Sequence, residues 1–244
     1  MLPGLSLRCS GILASLLVLT AAAVASAAHP ALPPELTPAE RTRLQSVADT
    51  ATLTTRVTGE PFTARRDVFE FLLDHPEFAT HVTRALRVAR YRIWREPDGL
   101  HVEDGWGARG WFEVVHARPG LRVLYARGEY QQRFLPDITG DAIVVLEYDA
   151  RRAPDGEQIL STIAGYVRVD NRFYAAASRL ASGLAAEKAE REAHRLVKVF
   201  MKVSRAITED PGGVYDLVRR SDGVPQAALE TFRKLLSLPR TATP

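Results

Sequence analysis

Between Tyr91 and Asp170 the chain is interrupted at short intervals by turn-forming residues, and no other feature limits its architecture as tightly. The interruptions are Pro97-Asp98-Gly99, Gly105-Trp106-Gly107, Pro119-Gly120, Pro136-Asp137 with Thr139-Gly140-Asp141, and Pro154-Asp155-Gly156. Proline presets one backbone angle, glycine accepts angles closed to other residues, and Asp and Asn bond back to their own backbone. Between them lie Tyr91–Arg95, Leu100–Asp104, Gly110–His116, Leu121–Gln131, Ala142–Asp149 and Gln158–Val169, each with aromatic or β-branched content. Links this short join antiparallel neighbours, since a parallel crossover needs about a dozen residues or more. The spacing therefore predicts an antiparallel meander.

The flanks read differently. Thr37-Pro38-Ala39-Glu40 combines a hydroxyl cap, proline at the first helical position and a glutamate three residues after the cap, predicting a helix to about Ala48 that buries Leu44 and Val47. Thr50–Thr58 is rich in β-branched residues and reads as a first strand. Asp67-Val68-Phe69-Glu70 repeats the capping-box spacing and predicts a short helix through Leu73, with a second carrying Phe78, Val82 and Leu86 on one stripe. From Tyr174 to Ile207 Ala, Glu, Lys and Arg dominate without proline, which predicts one long helix bent near Gly183, its apolar stripe running through Leu180, Leu184, Leu196, Phe200, Val203 and Ile207. Two shorter helical segments follow, Val214–Arg219 and Pro225–Leu238, expected to seal an edge of the same core.

Cys9 to Ala28 carries no charge, follows Arg8, centres on Ile12–Leu19 and ends in Ala25-Ser26-Ala27. That is the order of a cleavable export signal, with cleavage expected after Ala27 and a periplasmic or secreted destination. A retained membrane anchor is the alternative. Cys9 is the only cysteine among 244 residues, so the processed chain forms no disulfide and no thiolate metal site, and its stability rests on a hydrophobic core. The 32 basic and 29 acidic residues are mixed along the chain, which gives nucleic-acid binding no support. The divisions expected are residues 1–27 as signal, 28–36 as an extended lead-in, 37–210 as the main domain and 211–244 as a helical extension packed on it.

Strand, two short helices, antiparallel meander and long helix, in that order, describe an α+β fold in which a curved antiparallel sheet wraps around a long C-terminal helix, with extra helices at both ends. The order is carried by Leu53–Thr58, by Asp67–Phe78, by the glycine-punctuated meander and by Asn171 leading into the helix. It resembles the START-like (SRPBCC, helix-grip) superfamily. That resemblance implies a hydrophobic small molecule or lipid bound between helix and sheet, and no cofactor.

Alternation along the strands puts Trp111, Glu113 and Val115 on one face, Leu121, Val123, Tyr125 and Arg127 on one face, Val144, Leu146 and Tyr148 likewise, and Leu160, Thr162, Ala164 and Tyr166 likewise. An apolar pocket holding a few hydroxyls or one arginine suits an amphipathic ligand. The candidate ligand residues are accordingly Trp111, Tyr125, Arg127, Tyr148 and Tyr166, joined by Ala189 and Ala193, whose methyl groups either leave room facing the sheet or permit close packing. The strand residues equally read as cross-strand pairs on an outer surface. The Gly105–Trp111 stretch reads either as a lid touching a membrane transiently or as a bulge with one indole in the core.

No nucleophile elbow, phosphate loop or dinucleotide fingerprint is present, and no two of the six histidines have the helical spacing of a zinc site. The reading that follows is an exported carrier of a hydrophobic molecule. The alternatives are a cyclase- or hydratase-type enzyme using Tyr125, Arg127 or Glu113, and a non-catalytic interaction module of the cell envelope.

Overall fold

The computed structural model describes residues 30–105, 107–132, 135–154, 156–170 and 184–239, without the side chains of 132, 135, 136, 184–186, 188 and 189. The segment read as an export signal, Trp106, Asn171 and Leu180 lie outside the described residues. The described chain is α+β: eight antiparallel strands in one open sheet and six helices, the longest following the sheet. Helix α1 (Pro38–Asp49) precedes β1 (Leu53–Thr58) and the two-residue β2 (Phe62–Thr63); α2 (Arg66–Asp74) and α3 (Pro76–Ala85) follow. The meander is β3 (Arg92–Glu96), β4 (Gly99–Glu103), β5 (Ala108–Arg118), β6 (Leu121–Gln132), β7 (Leu135–Ala153) and β8 (Gly156–Val169). Helices α4 (Leu184–Glu209), α5 (Pro211–Arg219) and α6 (Gln226–Leu235) close the chain.

The strand order is β1-β8-β7-β6-β5-β4-β3, with β2 also on β8. The pairings of β1 and β2 with β8 depart from neighbour-to-neighbour order, and they make a seam between the first and last of the described strands. The expected turn at Pro136–Asp141 is absent, because β7 runs straight through it: Gly140 pairs with both Gly128 and Val169. Thr37 and Glu40 form the expected capping box on α1, and Leu44 and Val47 are fully buried. Asp67, in contrast, sits inside α2; Arg65 occupies the cap position and its side chain makes no capping bond, while Asp67 binds Arg65 and its neighbour's amide.

The sheet is covered on both faces. The inner face carries α2 and the first half of α4, with Val57, Phe62, Phe69, Leu146, Ile159, Ile163, Ala193 and Val197 in one apolar cluster. The outer face carries α1, with Leu44, Val47, Leu121, Val123, Ile143, Val145 and Ala164. A third cluster contains no strand residue and joins α2, α3, the second half of α4, α5 and α6 through Phe71, Phe78, Val82, Val203, Val218 and Phe232, with Val224 of the loop before α6. The C-terminal helices thus do not seal an edge of the sheet's core as expected. The apolar stripe of α4 outruns the strands, and its far end, Val203 and Ile207, is covered by helices alone.

Gly110, Gly128 and Gly140 stand opposite one another on β5, β6 and β7, and Val102 and Val169 extend this row at its ends. A Cβ on Gly110 would run into the carbonyl oxygen of Arg127, one on Gly128 would lie 2.8 Å from that of Arg109, and one on Gly140 would run into that of Arg168. All three missing side chains would project from the inner face. Their absence lets the three backbones approach one another closely there.

Candidate ligand-binding site

Where its side chains are described, α4 is packed against the sheet. Ala193 and Val197 pack directly on Val57 and Ile163, so Ala193 serves close packing, and Ala189 lies in α4 with its side chain outside the described residues. The vacant space on the inner face lies farther along the strands, over the glycine row. There an open hollow of about 270 Å³ is bounded by Gly110, Gly128 and Gly140, by Ala126 and Ala142 in the next row, and by Val102, Ile138, Val167 and Val169. Small side chains on paired positions leave depth, and the valines give it apolar walls. Its volume lies just below the range usual for small-molecule sites, about 300–1,000 Å³. A second, enclosed cavity of about 50 Å³ lies among α2, α3 and α4, bordered by Phe69, Leu72, Thr83, Tyr91 and Phe200. It has room for only a few waters. Burial pushes the Tyr91 hydroxyl up to about 12.

The register separates the candidate residues. Trp111 is opposite Arg127, Arg127 opposite Asp141, Tyr125 opposite Ile143 and Ile143 opposite Tyr166, so all of these share the outer face beneath α1. Tyr148 is opposite Ser161 and belongs to the inner face. Six residues from Ala142, it lies about 20 Å from the hollow at strand rise. There Arg122 Nη1 donates to the Tyr148 hydroxyl at 3.3 Å, which in turn donates to Glu70 Oε1 at 3.1 Å; the ring meets that of Phe69 edge-on at 5.2 Å. Arg122 is buried and also holds Asp74 at 2.7 Å. This is a strut between α2 and the sheet. Burial, helped by Glu70, raises the Tyr148 hydroxyl above its ordinary range.

On the outer face the polar candidates converge on a residue that sequence reasoning placed in a turn. Asp141, 2% exposed, accepts from the Tyr125 hydroxyl at 2.7 Å, from Arg127 Nη1 at 3.0 Å, and from Arg168 Nη2 at 2.5 Å. Arg168 reaches on to Ser46 Oγ of α1 at 3.1 Å, and Arg127 to Asp170 at 3.2 Å. Arg43 of α1 lies over the Tyr125 ring at 4.4 Å and pairs with Glu113 at 2.5 Å. Burial opposes the charge on Asp141, but the bonds from Tyr125, Arg168 and Arg127 outweigh it and hold the carboxyl below its usual range. Burial and the neighbouring Asp141 push Tyr125 up to about 12. Both oxygens of Asp141 are engaged by donors, and the group works as a clasp fastening α1 to the sheet rather than as an acid or base.

Trp111 packs its ring 5.7 Å from that of Tyr125, but the expected bulge is not in its segment: Ala108 to Val114 pair in regular register, and the slip comes later, between Val114 and His116, so His116 turns to the outer face instead of following Phe112. Metal-type ligands assemble where no helical spacing announced them. Across the β3–β4 hairpin His101 Nε2 lies 2.9 Å from Asp98 Oδ1 and 3.6 Å from Glu96 Oε2. The bond with His101 holds the Asp98 carboxyl below its ordinary range.

No protein-family model matches the chain, and no curated protein matches it in sequence. Among solved structures it is similar to the hypothetical protein jhp0584 from Helicobacter pylori, at 10% identity and a TM-score of 0.40, over 63% of this chain and 87% of that one. It is also similar to a truncated norcoclaurine synthase from Thalictrum flavum, at 12% identity and a TM-score of 0.36, over 63% of this chain and 94% of that one. At this level of likeness, function is read from the chain's own geometry.

Proposed function

We propose that the protein is an exported, START-like binder of a hydrophobic small molecule, seated on the inner face of the sheet over the glycine row. The observation that carries this reading is the hollow of about 270 Å³, walled by valines and floored by glycine and alanine. An open hollow with this lining leaves apolar surface in contact with water, which costs about 25 cal/mol per Å² and which a bound hydrophobic molecule would cover. Export is supported by the uncharged segment Cys9–Ala28 and by the absence of any later cysteine. The Asp141 clasp and the Tyr148 strut serve to hold the sheet's two coverings while the hollow is left clear. Simple binding is favoured over catalysis, because the described hollow is apolar and the buried carboxylate beneath it is already paired.

The test is native mass spectrometry of the purified protein, as isolated and after incubation with a panel of fatty acids and sterols, alongside Ala126→Phe. Ala126 is half-buried on the floor, and a phenyl ring there occupies the hollow. Retained ligand in the wild type and at least tenfold weaker retention in the variant are expected, with an intact mass that begins at Ala28. An empty wild type, or equal retention by both, overturns the reading.

A further inference from the structure

The tip of the β3–β4 hairpin lies outside everything assigned above. Its turn is Pro97-Asp98, and Gly99 follows at φ 145. Glu96, Asp98 and His101 each bring one ligand atom to within 4.8 Å of the others. A tetrahedral ion with bonds of about 2.0–2.1 Å keeps its ligands about 3.3 Å apart. The spacings from His101 Nε2, 2.9 Å to Asp98 and 3.6 Å to Glu96, bracket that value.

The surroundings fix these groups before any ion arrives. The His101 ring stacks on Trp94 at 5.7 Å with 29° between the planes. Indole Nε1 of the same Trp94 donates to Glu96 Oε1 at 2.7 Å. That bond leaves Oε2 as the oxygen facing His101. One aromatic side chain therefore orients both the imidazole and a carboxylate, as the supporting groups around metal ligands do. Asp98 and Glu96 are solvent-exposed and His101 is half-buried, so water completes the coordination.

We propose that this hairpin binds a divalent transition-metal ion of the zinc class through His101 Nε2, Asp98 and Glu96. Imidazole with carboxylates favours such ions over magnesium and calcium, which take oxygen ligands alone. The site is independent of the inner-face hollow, so either can fail without the other.

The experiment is calorimetric titration of the untagged protein with Zn²⁺, and separately with Mg²⁺, at neutral pH, supplemented by the absorption spectrum of bound Co²⁺. One Zn²⁺ per chain is expected, lost by at least a hundredfold in His101→Ala and in Asp98→Asn, an exposed turn substitution that leaves the fold intact by circular dichroism. Trp94→Phe keeps the stacking ring but not the N–H, and is expected to weaken binding about tenfold, the usual effect of removing a supporting hydrogen bond. Zn²⁺ bound equally by wild type and His101→Ala, or Mg²⁺ bound as tightly as Zn²⁺, overturns the proposal.

Discussion

Asp141 shows what a single side chain does when the strands choose its neighbours. In the unfolded chain it is an ordinary carboxylate; in the fold it takes donors from three residues and loses nearly all contact with water. Asp141→Asn preserves the shape and removes the charge, leaving Arg127 and Arg168 facing an amide. These arginines are partly exposed and can be rehydrated, so a loss of about 1–3 kcal/mol in urea unfolding is expected, at the scale of one charged hydrogen-bond partner removed. The folded carboxyl titrates below its unfolded value, so its contribution is present above about pH 4 and disappears as pH falls through the folded value. The gap between wild type and variant should therefore close in acid. Tyr125 behaves oppositely: its folded value is raised, so its share is intact below about pH 10 and is lost as pH climbs through about 12.

Among the elements, those governed by local chemistry were legible in the sequence. The cap of α1, the buried stripe of α3 and the strand runs of the meander all depend on residues within a few positions of one another. Legibility stopped where one strand must be phased against the next. Alternation ranks Tyr125 with Val123 and Tyr148 with Leu146, but only the β6–β7 register reveals that the two tyrosines point to opposite faces. Gly110, Gly128 and Gly140 are unequally spaced in sequence, and become a row only after two hairpins are closed. His101, Asp98 and Glu96 were missed for a related reason: a search at helical spacing overlooks ligands that a hairpin folds together. The helical cluster at the end of α4 likewise needed three dimensions. Its weight is measurable, because Phe232 is fully buried against Phe71 and Phe78, with ring centroids 6.3 and 5.3 Å away. Phe232→Ala is expected to cost about 3–5 kcal/mol in denaturant unfolding; a loss below 1 kcal/mol would mean that α6 adds little to the fold.

The molecule as a whole is held by pairings between distant parts of the chain. Thr52 donates to the carbonyl oxygen of Val167, 115 positions away, and α1 rests on strands β6 to β8, whose residues follow it by more than seventy positions. Contacts of that span must meet the entropy of a large loop before they return anything, which places refolding in the millisecond-to-second range. Stopped-flow fluorescence of the three tryptophans is expected to show it, and a submillisecond main phase would contradict it. The seam between β1 and β8 also sets an order in time. Synthesis proceeds from the N-terminus, so β1 emerges long before its partner exists, and the earliest part of the domain stays threadable until the last strand has been made.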